Sequence, residues 1–145
     1  PEAFSLNLLL DSISGLQGYK VFTQYKTYAL KGDFYGDGTE DMALLIEKDD
    51  MVNLCIINFN NGKSFYIFGE KDKPEDYSWA GVFEKVNAGD ALWSNYVDDF
   101  RSFEDVPDTE KVVLPYDAIY AHALESCGGG FIFWKDGKFN WLQQE

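Results

Sequence analysis

The sequence predicts an α+β fold: one mainly antiparallel β-sheet packed with an N-terminal helix, in a single compact domain spanning residues 1–145. Three observations predict it. The length suits one domain, at roughly 150 residues per domain. Apolar residues recur at helical spacing only near the start, after which the pattern changes to short runs of β-forming residues. Two strong hairpin signals, Asn60-Asn61-Gly62 and Asp136-Gly137, join such runs.

Residues 2–16 read as the helix, with Phe4, Leu8, Leu9, Ile13 and Leu16 on one stripe and Gly15 and Gly18 as its stop. A β-rich core follows over 19–86. Tyr19–Phe22 and Lys26–Leu30 are short strands, and the nearly unbroken apolar run Met42–Ile46 marks a strand buried on both faces. Val52–Phe59 and Lys63–Phe68 are hairpin partners, a charged loop covers 70–76, and Ala80–Val86 is a further strand. Residues 87–110 form an acidic loop region, with a short helix around Ala91–Tyr96. The β-hairpin region 112–142 closes the domain, with an edge strand at Val112–Leu114, strands at Asp117–Leu124 and Phe131–Trp134, and a return strand from Lys138 to Leu142. The run Gly128-Gly129-Gly130 reads as a bulge or a close backbone approach.

Twelve basic residues against 25 acidic ones give a net charge of −13. That disfavours nucleic acid, whose phosphates need a cationic face, and an anionic membrane surface. No run approaches the ~18 apolar residues of a membrane span. A start at Pro1-Glu2-Ala3 rather than methionine reads as a processed chain, with any leader or tag removed. Cys55 lies in the apolar run Leu54–Ile57, where a buried free thiol is common. A Cys55–Cys127 disulfide is the alternative in an oxidising compartment.

One loop carries metal chemistry. Asp33, Asp37 and Asp41 stand at positions 1, 5 and 9 of a turn, and Gly38 at position 6 permits a tight reversal. Calcium seeks six to eight oxygens, and such a loop could offer these three carboxylates with the Thr39 backbone carbonyl. Position 3 is Tyr35, a poor ligand, and position 12 is Leu44 rather than a bidentate Glu. In the alternative, Asp33 and Asp37 hydrogen-bond their own loop and hold no metal.

The segment Gly32-Asp33-x-x-Gly36-Asp37-Gly38-x-x-Asp41, followed by Ala43-Leu44-Leu45-Ile46, resembles the FG-GAP or VCBS-type motif. Residues 18–59 and 117–142 are similar to small secreted or lipid-anchored bacterial proteins that carry a single copy. The resemblance implies a periplasmic, cell-surface or secreted location, a lipid anchor upstream of Pro1 being one form of it. It implies a binding role, through protein–protein contact, and no general enzymatic one.

No nucleophile elbow, phosphate loop or zinc-protease helix is present. His122 is the only histidine, and it stands near Glu125 and Cys127. A Cys–His pair would need the base within hydrogen-bond reach. The plainer expectation is a sheet histidine and a chain that is not an enzyme. The acidic stretch carries Asp98, Asp99, Phe100, Phe103, Glu104 and Asp105. These form a candidate docking face for a basic protein, since opposed charge speeds encounter and aromatics anchor it. The pattern suits an immunity or inhibitor protein that neutralises a basic toxin or lytic enzyme. Tyr77, Trp79 and Trp93 offer the further alternative of stacking on sugar rings, as in a carbohydrate-binding module.

Overall fold

The structure, a computed structural model, describes residues 2–70 and 73–145. Helix α1 (Ala3–Asp11) opens the chain. Strands β1 (Lys20–Val21), β2 (Ala29–Gly32), β3 (Asp41–Lys48), β4 (Met51–Asn58) and β5 (Ser64–Ile67) form sheet I. Within it β1 and β2 lie end to end along one side of β3, then come β4 and β5, and every pairing is antiparallel. Leu45 of β3 bridges the gap between β1 and β2. Its carbonyl accepts the Phe22 N–H at 2.8 Å and its N–H donates to the Tyr28 carbonyl at 3.0 Å.

The chain then makes the two-residue pair β6 (Gly69–Glu70) and β7 (Lys73–Pro74). Strand β8 (Val82–Val86) starts sheet II. Three short excursions follow: β9 (Ala91–Leu92), the hairpin β10 (Tyr96–Val97) and β11 (Asp99–Phe100), and β12 (Val112–Val113), which returns to pair with β9. Strands β13 (Ala118–His122), β14 (Gly129–Lys135) and β15 (Lys138–Gln144) complete sheet II in the order β15-β14-β13-β8.

The described residues are thus mostly antiparallel β with one α-helix, but the single sheet expected from the sequence is two larger sheets with three two-stranded pairs beside them. Strand β8 leaves the 19–86 block and joins the C-terminal hairpin instead. The physical reason lies in β3 and β4, which are buried on both faces. On one face Leu44, Ile46, Cys55 and Ile57 pack with the helix residues Leu6 and Leu10. On the other, Ala43, Leu45, Leu54 and Ile56 meet Phe83, Ile119 and Ile132 of sheet II. A helix alone covers one face, so a second sheet must cover the other. The outer face of sheet II packs against the 87–116 segment through Leu92, Leu114, Ala118 and Phe133.

The helix is shorter than the expected 2–16, and its apolar stripe is turned. Ser12 accepts no further turn: its hydroxyl donates to the Leu9 carbonyl at 2.6 Å and α1 ends. Leu6 and Leu10, four apart, are the buried pair, whereas Phe4 and Leu8 are 72% and 56% exposed. Ile13 and Leu16 are buried through the turns that follow α1 and not through its phase. Asn7 ties the helix to the sheet, its side-chain oxygen accepting the Val21 N–H at 2.8 Å.

The helix expected around Ala91–Tyr96 is absent. Ala91 and Leu92 are extended and pair with Val113 and Val112, because Leu92 is drawn into the core beneath sheet II. Of the two readings of the cysteines, the structure has the free thiols and not the Cys55–Cys127 disulfide. Cys55 is a buried free thiol in β4, and Cys127 is a free, exposed thiol beyond β13. Burial pushes the Cys55 thiol up to about 12. Both hairpin turns form where the sequence places them, with Asn61 and Asp136 at positive φ. The charged loop 70–76 lies partly outside the described residues.

Candidate functional site

The acidic loop forms between β2 and β3, as the sequence implies. The Asp33 carboxylate accepts the N–H groups of Asp37 at 3.1 Å and Gly38 at 3.0 Å. Asp37 Oδ1 accepts the Thr39 N–H at 3.0 Å, which is how Thr39 enters the loop's bonding. Asp41 Oδ2 accepts the Tyr35 N–H at 3.0 Å. Gly36 is needed here, at φ 68°, because a Cβ would lie 2.4 Å from the Tyr116 ring. The loop therefore satisfies itself as an Asp-rich turn does.

One atom is left over. Asp41 is 1% exposed; the Tyr35 and Phe34 N–H groups favour its charged form, and among the described residues its Oδ1 has no hydrogen-bond partner. An oxygen of each of Asp33, Asp37 and Asp41 lies within 4.8 Å of the others. Burial, with the Asp37 and Asp33 charges behind it, pushes the Asp41 carboxyl up to about 6 from its ordinary 3.8. A buried carboxylate oxygen without a partner is costly unless a cation or proton meets it. That donor set fits a hard, oxygen-seeking cation. Tyr35 does not join it: its ring turns inward against Trp134 and Phe139, and its hydroxyl donates to the Ile56 carbonyl at 2.9 Å.

The acidic stretch at 98–105 divides into two parts. The β10–β11 hairpin stands in solvent, with Phe100 65% exposed and Tyr96 and Val97 also exposed. Asp98 forms its tip at positive φ, and Asp99 accepts the neighbouring Phe100 N–H at 2.8 Å. Phe103 is partly covered, with Trp93 at 5.5 Å and the Lys111 ammonium 3.8 Å from its ring centre. Glu104 and Asp105 serve the turn, accepting the Ser102 hydroxyl at 3.1 and 2.9 Å. Asp105 also accepts the Ser102 N–H at 2.9 Å. These bonds, the backbone one first, lower the Asp105 pKa. Arg101 fastens the base of the segment through the Ser94 carbonyl and the Glu110 carboxylate.

A second feature was only partly visible in the sequence. A cleft of about 870 Å³ opens beside β5 and β15. Tyr66, Phe68, Tyr77, Trp79, Phe139 and Trp141 wall it, and Glu75, Asp76 and Asn140 supply polar groups. Tyr77 donates its hydroxyl to Glu75 Oε2 at 2.9 Å. Burial and that carboxylate hold the Tyr77 phenol well above its ordinary range. Asp76 accepts the Val52 N–H at 3.1 Å and the Ser78 hydroxyl at 2.6 Å. Tyr77 and Trp79, singled out in the sequence, do share this cleft; Trp93 packs on Phe103 instead, its N–H donating to the Arg101 carbonyl at 3.1 Å. Phe68, Phe139 and Trp141 carry no signal in the sequence, because alternating aromatics in a strand read equally as core.

His122 and Cys127 do not form a pair. Both ring nitrogens of His122 lie 2.7 Å from backbone oxygens, those of Ala123 and Glu145. The Cys127 thiol faces Glu145 Oε1 at 3.6 Å. Compared with protein-family models, curated proteins and solved structures, the chain matches none.

Proposed function

We propose that this chain is a non-enzymatic binding domain that docks a basic protein on the acidic, aromatic face of residues 96–105. The observation that carries this is the β10–β11 hairpin, which holds Phe100, Val97 and Tyr96 out in solvent beside Asp98 and Asp99. Apolar side chains gathered on a small exposed hairpin are characteristic of an interaction surface. The carboxylates beside them, within a chain of net charge −13, steer a cationic partner and repel an acidic one. An immunity or inhibitor protein acting on a basic toxin or lytic enzyme would use this mode. On the loop's resemblance to FG-GAP and VCBS sequences, the proposal extends to an exported setting, periplasmic or at the cell surface. Both His122 ring nitrogens face backbone oxygens and the Cys127 thiol faces Glu145, which favours a binding role over thiol catalysis.

The test replaces Phe100 with a photo-crosslinking phenylalanine analogue in the cells of origin. A single basic protein should be captured there, and not from a control position at Ser64 on β5. The triple charge reversal Asp98→Lys, Asp99→Lys and Glu104→Lys should abolish capture. Equal capture from both positions, or capture that survives the reversal, defeats this reading.

A second proposal concerns the loop: Asp33, Asp37 and Asp41 hold a calcium ion. The unpartnered buried Asp41 Oδ1 favours it. The ion would neutralise three clustered carboxylates and brace the entry to β3. Its role is structural, and its test is the calcium dependence of stability set out in the Discussion.

A further inference from the structure

We infer that the cleft between β5 and β15 is a docking site for an extended, cationic peptide segment. This rests on the reading of the chain as a binder of a basic protein, but not on the hairpin face. Each sheet ends at the cleft. Among the described residues β5 pairs only with β4, and β15 only with β14. Edge strands carry unpaired backbone groups that template a further strand.

The outward groups of β15 can be assigned. Asp136 and Gly137 have φ of 56° and 76°, as a two-residue type I′ turn requires. Such a turn closes on Lys135 and Lys138 as a hydrogen-bonded pair. By alternation, the N–H and C=O groups of Phe139, Trp141 and Gln143 face away from β14. Gln143 agrees: its carbonyl accepts the Ser94 hydroxyl at 2.9 Å and the Gln144 side-chain amide at 3.0 Å. Ser94 thus caps the far end of the edge. Among the described residues nothing caps Phe139 and Trp141, whose side chains wall the cleft.

Charge decides the occupant. The cleft lining carries two carboxylates, Glu75 and Asp76. A strand laid along β15 turns every second side chain the same way. An arginine or lysine there sets its aliphatic stem on the rings and its charge toward the carboxylates. The protein already seats lysines on rings elsewhere, Lys48 on Tyr19 and Lys111 on Phe103.

Four probes test this against backbone-amide NMR of the whole chain: a capped octapeptide of alternating arginine and threonine, its glutamine–threonine counterpart, an arginine peptide N-methylated at alternate backbone amides, and cellohexaose. The arginine peptide should shift amides at 66–68, 75–79 and 139–141, and salt should weaken its binding. The glutamine and N-methylated peptides should bind about tenfold more weakly or worse, and Glu75→Gln should weaken the arginine peptide alone. Equal binding by either control peptide overturns the inference while leaving a basic partner intact. Shifts confined to 96–105 overturn it and support the hairpin face. Shifts at the cleft from cellohexaose alone overturn it in favour of a saccharide. Silence from every probe also overturns it, and the crosslinking experiment then judges the hairpin face separately.

Discussion

Asp117 accepts the backbone N–H of Asp33 at 3.0 Å, joining two residues 84 apart in sequence. Its other oxygen accepts the Ala88 N–H at 3.1 Å. One side chain just before β13 therefore fixes both the acidic loop and the exit from β8. The pairing also explains the crowding at Gly32, where a Cβ would stand 3.0 Å from Asp117 Oδ2.

Asp117→Ala should accordingly destabilise the fold by about 1–3 kcal/mol, since two backbone donors lose their acceptor together. Asp117→Asn should recover only part of this, because its amide sets a donor against one N–H. Urea denaturation measures both. An unchanged midpoint for the alanine variant would show that water replaces the carboxylate without loss.

Asp41 makes stability depend on pH in an unusual direction. Its folded pKa, about 6, lies above the ordinary 3.8. Between those values the folded chain keeps a proton that the unfolded chain has released. The group's contribution is therefore most favourable below pH 4 and declines as pH rises through 6. In chelator, the stability of the wild type relative to Asp41→Asn should fall by roughly 2 kcal/mol from pH 4 to pH 7. At pH 7, millimolar calcium should raise the wild-type melting temperature and leave Asp41→Asn and Asp37→Asn unmoved. A melting temperature indifferent to calcium sinks the metal proposal and leaves the pH effect standing.

Much of this loop was legible in the sequence, because aspartate beside glycine in a tight turn hydrogen-bonds its own backbone. Asp33 and Asp37 do cap their own turn, and Met42–Ile46 is buried on both faces as its unbroken apolar run implied. What the residues could not show is what lies across from them. A run buried on both faces needs two covers, and nothing in Met42–Ile46 says that one is Ile119 and Ile132, far along the chain. The partnership of Asp117 with Asp33 was hidden likewise. A helical stripe through Phe4, Leu8, Ile13 and Leu16 has the wrong phase, because α1 ends at Asp11 and buries Leu6 and Leu10 instead. Tyr77 and Trp79 hint at the cleft, but β5 and β15 supply its other walls from distant parts of the sequence.

The turned helix gives a sharp contrast. Leu10→Ala should cost about 2–5 kcal/mol, as a fully buried leucine does. Phe4→Ser with Leu8→Ser should change stability by less than about 1 kcal/mol, both side chains being solvent-facing. Thermal melts of the two variants settle the phase of α1. Comparable losses would mean that the outer face is covered in solution.

The cysteines should differ in reactivity by the same logic. Cys127 is exposed, whereas Cys55 is buried and its thiol is held protonated up to about 12. Iodoacetamide at pH 8 should modify Cys127 in the native protein and reach Cys55 only in denaturant, as intact-mass spectrometry would register. Two native adducts would place β4 at a surface.

Sheet I is a wall shared by two interiors. Leu44 and Leu45, neighbours in one strand, belong to separate clusters on either side of it. Peeling the amino-terminal segment away would wet one compartment and keep the other dry. Local opening of the segment that carries Leu6, Leu10, Ile13 and Leu16 should therefore expose the Leu44 compartment alone, with hydrogen exchange faster in β1 than in β13.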